Sequence, residues 1–329
     1  MRVERLLDAP IISAVLDASI GQNIQGPSLI RVPDWLENPL GVYYLYFADH
    51  KGSYIRLAYA DELTGPWHIY QPGSLQLAQS QFPERPPEVP DEGLERVQAA
   101  YAAAGIDLRS LQHDPLLELT APHIASPDVH VVDDHQRIVM YFHGLEDFGT
   151  QLSRVATSTD GIHFHARPEI LGRTYMRAFE YAGFVYALAM PGQFYRSNDG
   201  LSRFERGPRL FDQNMRHSAV LVRGDQLLVF WTRVGDAPEC IVLSRIDLSQ
   251  PWDEWQESSA VEVLRPERAW EGADQPLEPS VRSVAYGPVN QLRDPAVFCE
   301  HGRTYLLYAV AGESGIAIAE LCLDDLPQG

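Results

Sequence analysis

The sequence predicts an all-β fold, a five-bladed β-propeller, from three observations. The first is a short segment that recurs five times with variations. Its fullest copy is Arg293-Asp294-Pro295-Ala296-Val297-Phe298, followed by a turn at Gly302 and the apolar run Thr304-Tyr305-Leu306-Leu307-Tyr308. A second is Ser126-Pro127-Asp128-Val129-His130-Val131-Val132, followed by Arg137-Ile138-Val139-Met140-Tyr141-Phe142, and a third is Gly26-Pro27-Ser28-Leu29-Ile30, followed by Tyr43-Tyr44-Leu45-Tyr46-Phe47. Weaker copies begin at Tyr175-Met176-Arg177 and Arg216-His217-Ser218. The second observation is that each copy is a strand, a turn and a strand, which is how a radial repeat is written in sequence. The third is an extension shared by two copies. Thr157-Ser158-Thr159-Asp160-Gly161 precedes Phe164, and Arg196-Ser197-Asn198-Asp199-Gly200 precedes Phe204. Each reads as a third strand, an Asp-Gly hairpin turn and an outer strand opening on an aromatic.

The elements follow in order. Ile11 to Leu16 is expected to complete the last blade, since a propeller that pairs its two chain ends leaves no open sheet edge. Blade one has strands near 27–32, 43–49 and 55–60 and an outer strand at Trp67-His68-Ile69-Tyr70, after the Gly65-Pro66 turn. Tyr43, Leu45 and Phe47 alternate with Tyr44, Tyr46 and Ala48, so both faces of that strand are apolar, as for a sheet packed between two others. Residues 79 to 122 break the repeat. Pro83, Pro86, Pro87 and Pro90 rule out a strand. Asp91 to Ala104 then reads as a helix, capped by Asp91, with Leu94, Val97 and Tyr101 on one face and Gly105 as its stop. This is a short helical insertion between blades one and two, either a lid over the axis or a packing ornament. Blade two runs from Pro127 to about Leu171, blade three from Tyr175 to about Phe211. Blade four has strands near 217–223, 226–233 and 241–247, with Trp252 and Trp255 leading to its outer strand. A long connection spans about 265 to 290, and blade five runs from Arg293 to Glu320. One domain over 1–329 is expected.

Composition bounds the partners. A net charge of -19 argues against a nucleic-acid backbone or an anionic membrane surface. No stretch approaches the ~20 apolar residues of a membrane helix. Acidic residues interrupt the start, Met1-Arg2-Val3-Glu4-Arg5-Leu6-Leu7-Asp8, which does not read as a signal peptide, so a cytoplasmic protein is expected. Cys240, Cys299 and Cys322 are far apart and show no metal spacing or disulfide framework, and no cofactor or metal is expected.

With these motifs the chain resembles the five-bladed propeller glycoside hydrolases of family 43 and relatives in families 32, 62 and 117. The short matches are Arg293-Asp294-Pro295, Ser126-Pro127-Asp128-Val129 and the strand, Asp-Gly, aromatic element. The resemblance implies a site at the starts of the inner strands around the axis, built from a base carboxylate in a first-blade Asp-Pro, a second Asp that tunes pKa and a Glu acid. This chain departs from that pattern. Blade one has Gly26-Pro27, blade three Tyr175-Met176-Arg177 and blade four Arg216-His217.

The residues themselves offer an alternative set. Glycoside hydrolysis needs one group to protonate the leaving oxygen and another to activate water or attack the sugar. Asp128 and Asp294 begin inner strands of non-adjacent blades and are expected to face each other across an axial pocket; the plainer reading is that each caps a Pro turn. His217 begins blade four as a proton donor or a ligand-binding imidazole. Glu278 and Glu271 are alternative acids if their loop folds over the opening, whereas Glu180 points away. Arg177, Arg216 and Arg293 adjoin the strand starts, where they meet an anionic sugar or orient Asp128 and Asp294. Tyr175, His123 and Asn23 are candidates for sugar contacts. Asp49-His50-Lys51-Gly52 and His143-Gly144-Leu145-Glu146 read as hairpin turns near the rim. The expected function is acid–base cleavage of a glycosidic bond in a small, acidic saccharide. The alternatives are a propeller that binds carbohydrate without catalysis, and a lyase or phosphorylase in which the arginines receive phosphate.

Overall fold

The computed structural model describes residues 1–103 and 114–323. Two short N-terminal strands, β1 (Arg2–Arg5) and β2 (Ile12–Ser13), precede blade one, which holds β3 (Gln25–Arg31), β4 (Tyr43–Ala48), β5 (Tyr54–Ala60) and β6 (His68–Gln76). Helices α1 (Gly93–Ala103) and α2 (Pro115–Thr120) follow. Blade two is β7 (Ile124–Val132), β8 (Arg137–Asp147), β9 (Thr150–Ser158) and β10 (His165–Ala166). Blade three is β11 (Arg177–Tyr181), β12 (Phe184–Ala189), β13 (Gln193–Ser197) and β14 (Glu205–Arg209). Blade four is β15 (Met215–Arg223), β16 (Gln226–Arg233), β17 (Ile241–Asp247) and β18 (Val261–Leu264). Blade five is β19 (Arg293–Glu300), β20 (Arg303–Ala309) and β21 (Gly315–Cys322), joined by β1 outside β21. The protein is a five-bladed β-propeller of antiparallel meanders. Among the described residues no helix is long and apolar enough to cross a membrane.

Each neighbouring pair of blades shares one apolar cluster, and the alternation in β4 shows why. Tyr44 and Tyr46 pack against Met140, Phe142 and Phe164 of blade two. Tyr43, Leu45 and Phe47 point the other way, against Phe298 and Leu307 of blade five. Blades two and three meet through Tyr141 and Tyr195, blades three and four through Phe194 and Trp231, and blades four and five through Phe230 and Tyr308. Apolar burial at ~25 cal/mol per Å² is what holds the ring of sheets together. The two Asp-Gly turns repeat in detail. Asp160 Oδ1 accepts from the N–H groups of Ile162 and His163, as Asp199 Oδ1 does from Leu201 and Ser202. Across the blade boundaries, the Tyr46 hydroxyl donates to the Gly161 carbonyl at 2.7 Å and the Tyr141 hydroxyl to that of Gly200 at 2.7 Å.

Ring closure differs from expectation. Ile12 and Ser13 do pair with β21, but the strand that completes blade five is Arg2–Arg5, registered as Arg2 with Cys322 through Arg5 with Ala319. A buried ion pair fastens it: Arg5 Nε donates to Glu271 Oε1 at 2.7 Å, and the Tyr308 hydroxyl donates to the same oxygen at 3.1 Å. Glu271, considered above as an acid, is therefore a structural carboxylate with no exposed surface.

The insertion contains two helices where one was expected. α1 begins at Gly93, two residues after Asp91, with Val97 buried and Leu94 exposed. The Tyr101 side chain and the expected stop at Gly105 lie outside the described residues. α2 opens with Asp114, whose carboxylate accepts from Leu116 N–H at 2.9 Å, and with Pro115 in the first turn.

The inner strands carry the feature that builds the site. Gly26, Ser126, Tyr175 and Asp294 occupy matching places at the starts of four blades, and all have positive φ, between 45° and 64°. β3, β7, β15 and β19 each have a bulge at this point. A bulge re-aims a side chain out of the sheet's alternation. Here it turns the strand starts toward the axis.

Candidate functional site at the propeller axis

An axial cavity of about 500 Å³ opens at the end where the inner strands start. Its floor includes Tyr175, Arg216 and His217, and its wall includes His50. Glu118 and Leu119 of α2 lean over it, so the insertion contributes to the roof. Arg173 and Arg282 stand exposed at the mouth.

Beneath the floor lies Asp294, with no exposed surface. Its Oδ1 is 3.3 Å from His217 Nδ1, and its backbone N–H donates to the same nitrogen at 3.4 Å. Burial, and then the negative charge of Glu313, push the Asp294 carboxyl up to about 8 against the pull of Arg216, Arg293 and Arg177. Burial and the neighbouring guanidinium groups push His217 well below the usual imidazole range. Both shifts favour a neutral pair, a protonated carboxyl beside an uncharged imidazole. Both ring nitrogens face N–H donors: Nδ1 that of Asp294 and Nε2 that of Arg216 Nε, each at 3.4 Å.

His217 belongs to a stack. The Tyr175 ring lies between those of His217 and His143, with centroid distances of 4.8 and 4.6 Å. His123 meets His143 edge-on at 6.1 Å. Burial depresses both imidazoles, His123 to about 3 and His143 well below the usual imidazole range. His143 is not in a hairpin turn as expected: it lies within β8, which runs on to Asp147.

The sequence candidates separate into three groups. His217, Arg216 and Tyr175 line the cavity, with Asp294 directly below. Asn23, His123 and Arg293 lie deeper and are engaged by the protein. Asn23 Nδ2 donates to Glu313 at 2.7 Å while its Oδ1 accepts from His50 N–H. His123 Nδ1 is 2.7 Å from the Ala121 carbonyl. Arg293 pairs with Glu313 at 2.7 Å and with Glu239 at 3.7 Å. The third group is elsewhere. Glu278 is exposed on the long connection. Asp128 and Arg177 line a channel of about 180 Å³ on the far side of the bulge.

The expected pairing of Asp128 with Asp294 across one pocket is therefore not found. Two residues past the turn, the strand has resumed its alternation, and Asp128 accepts from Ala178 N–H at 2.7 Å, contacts His130 Nε2 at 2.8 Å and pairs with Arg177 at 3.4 Å. Although burial opposes it, His130 and Arg177 hold Asp128 below the usual carboxylate range. A larger cleft, about 940 Å³, opens beside His130 between blades two and three. The smaller axial cavity is the better candidate, because the buried neutral imidazoles and the protonated carboxyl gather there. Among the described residues no group of three or more His, Cys, Asp or Glu side chains is arranged to hold a metal ion.

Sequence reasoning missed Glu239, Glu313 and the inward role of His50. Glu313 accepts from Asn23, pairs with Arg293 and lies 3.5 Å from His50 Nδ1. Glu239 lies 3.6 Å from Arg216. The signal was topological. In an antiparallel meander the second strand ends, and the third begins, at the rim where the first begins. His50 follows β4, Glu239 precedes β17 and Glu313 precedes β21.

This architecture defines a class before it defines a relative. The fold is that of family-43 glycoside hydrolases. It superposes on a GH43_1 enzyme of Xanthomonas citri with a TM-score of 0.58, 10% identity and coverage of 96% of this chain and 91% of that one. An endo-1,4-beta-xylanase of Bacteroides thetaiotaomicron gives 0.57 and 12%, covering 92% of each chain. An alpha-L-arabinanase of Cellvibrio cellulosa, solved with arabinohexaose, gives 0.52 and 13%, covering 92% of this chain and 94% of that one. No family model matches the sequence. By sequence the chain belongs to the same family as an uncharacterized protein of Acanthamoeba polyphaga mimivirus. The two are 35% identical over 325 residues, 91% of this chain and 83% of that protein.

Proposed function

We propose that the protein is a glycosidase-like enzyme that cleaves a glycosidic bond of a small saccharide in the axial cavity, with His217 as proton donor and Asp294 behind it. The observation that carries this reading is the Asp294–His217 contact of 3.3 Å under the cavity floor. A neutral imidazole alone is a poor acid. Here the imidazole relays the proton of Asp294 to the leaving oxygen, so the acid that counts is a carboxyl group poised near neutrality. The scaffold shared with family-43 enzymes supports a saccharide as the substrate. Cleavage also needs an attacking group, and the cavity has two ways to supply one. Glu118 is the carboxylate on its wall, suited to water, and the arginines suit an anion, carried by an acidic saccharide or by a second substrate.

The test is product analysis with xylotriose, β-1,3-galactotriose, arabinohexaose and uronate-bearing analogues. Turnover of at least one is expected, falling by at least ~100-fold in His217→Gln and in Asp294→Asn, the lower scale for losing acid–base help. Unchanged turnover in both variants would remove the pair from the mechanism. Binding without cleavage in the wild type would leave a non-catalytic carbohydrate-binding propeller.

A further inference from the structure

We infer that the attacking group is inorganic phosphate, held by Arg216, Arg282 and Arg173, so that the cleavage proposed above is a phosphorolysis yielding a sugar 1-phosphate. The inference rests on the His217–Asp294 acid and adds the second substrate.

Two features of the cavity lead to it. The first is the state of the carboxylates. Among the described residues, each one near the acid faces a cation. Glu313 is buried against Arg293 and Asn23, and Glu239 is buried 3.6 Å from Arg216 and 3.7 Å from Arg293. Glu118, the carboxylate on the wall, lies 3.4 Å from Lys51, a buried ammonium, and 4.0 Å from His50. A hydrolase needs an ionised carboxylate to activate water or attack the sugar. Phosphate brings its own negative oxygen and needs no such base.

The second feature is the guanidinium ladder. Arg216 lies buried on the floor, where it donates to the Val281 carbonyl at 3.2 Å and to His217 Nε2 at 3.4 Å, and Arg282 and Arg173 stand at the mouth. Arg282 donates to the Gln213 carbonyl at 2.7 Å, and among the described residues it forms no ion pair, nor does Arg173. In a chain of net charge -19, three arginines converge on one small cavity that has a single carboxylate on its wall. Guanidinium groups bind phosphate through paired N–H donors.

The step balances without a further reagent. A phosphate oxygen of HPO4 2− forms a bond to the anomeric carbon as the bond from that carbon to the leaving oxygen breaks. His217 relays the Asp294 proton to that oxygen. The new sugar phosphate, formed with its P–OH intact, then returns a proton to Asp294 through the same imidazole. The products are a sugar 1-phosphate dianion and an alcohol, with enzyme and charge restored.

The experiment incubates the saccharide panel with and without inorganic phosphate, followed by phosphorus NMR and a free-sugar assay. In parallel, inorganic phosphate is titrated calorimetrically into the wild type, Arg282→Gln and Arg173→Gln, whose substituted side chains are exposed. Phosphate-dependent cleavage with a sugar 1-phosphate resonance is expected, as is phosphate binding that weakens by about 10-fold or more in Arg282→Gln, the scale of one charged hydrogen bond. Cleavage to free sugar at a rate indifferent to phosphate and abolished in Glu118→Gln would overturn the phosphorolysis and leave the glycosidase reading standing. Absence of phosphate binding, or tighter binding of uronate-bearing saccharides with loss of that preference in Arg282→Gln, would assign the arginines to the sugar instead. No cleavage under either condition would overturn both readings.

Discussion

Asp294 is the one aspartate that the sequence places before a proline at an inner-strand start, and its Oδ1 lies 3.3 Å from Nδ1 of His217, a residue of the neighbouring blade. The contact crosses 77 positions of chain. It exists because the starts of β15 and β19 are both turned toward the axis by bulges. The pair is neutral and enclosed, and its behaviour can be read in stability as well as in turnover.

The folded-state value of Asp294, about 8, lies above the 3.8 of an ordinary aspartate. Between those limits the folded protein holds a proton that the unfolded chain has lost. Stability from this group is therefore full below about pH 4 and declines as pH rises through about 8. Asp294→Asn, which mimics the protonated form, should flatten that decline in thermal unfolding midpoints measured across the range. A slope identical to the wild type would mean that the carboxyl is ionised in the folded state.

Asp128→Asn should behave differently. Asp128 accepts from Ala178 N–H and His130 and balances Arg177, away from the axial cavity. The expected outcome is a loss of about 1–3 kcal/mol in denaturant unfolding, the cost of weakening charged hydrogen bonds, with turnover largely kept. A 100-fold loss of turnover at unchanged stability would return Asp128 to the chemistry.

Arg5→Met should loosen the ring at its seam. It leaves the buried Glu271 carboxylate with the Tyr308 hydroxyl and the Glu267 and Arg268 N–H groups but without its cation. Removing one partner of a buried pair costs about 3–5 kcal/mol. The double variant Arg5→Met with Glu271→Gln should recover part of that loss. Additive losses in urea unfolding would show that the two side chains act independently.

Gly26 stands where the resemblance to family 43 calls for an aspartate. A Cβ at this position would meet Ser126 Cα at 3.0 Å and Ser126 Oγ at 3.3 Å, and φ is 64°. Gly26→Asp should therefore lower the thermal midpoint and add no hydrolytic activity. A variant that is both stable and more active would show that the first-blade position is open to a carboxylate after all.

Much of the fold was legible because its signals are local. The alternating apolar faces of β4, the Asp160-Gly161 and Asp199-Gly200 turns and the Pro-rich break after Phe82 each act within a few residues. The closing strand was placed on Ile11–Leu16 because apolar content marked it, whereas three of the four residues of Arg2–Arg5 are charged, and its hold on Glu271 comes from 266 positions away. The site was legible where it follows the repeat, at Tyr175, Arg216, His217 and Asp294. Asp128 lines the narrower channel between all five inner strands, past the bulge and not in the axial cavity, and a bulge has no firm signature in Ser126-Pro127-Asp128. Glu239 and Glu313 were not legible because they enter from the starts of third strands, outside the repeated first-strand motif.

The account is tested most directly by a crystal structure of the Asp294→Asn protein with a bound, uncleaved saccharide and phosphate. The expected result is the glycosidic oxygen within about 3.2 Å of a His217 ring nitrogen, the reach of a proton donor, and the phosphate between Arg216 and Arg282. A saccharide seated in the cleft beside His130, or one whose glycosidic oxygen lies beyond reach of His217, would contradict it.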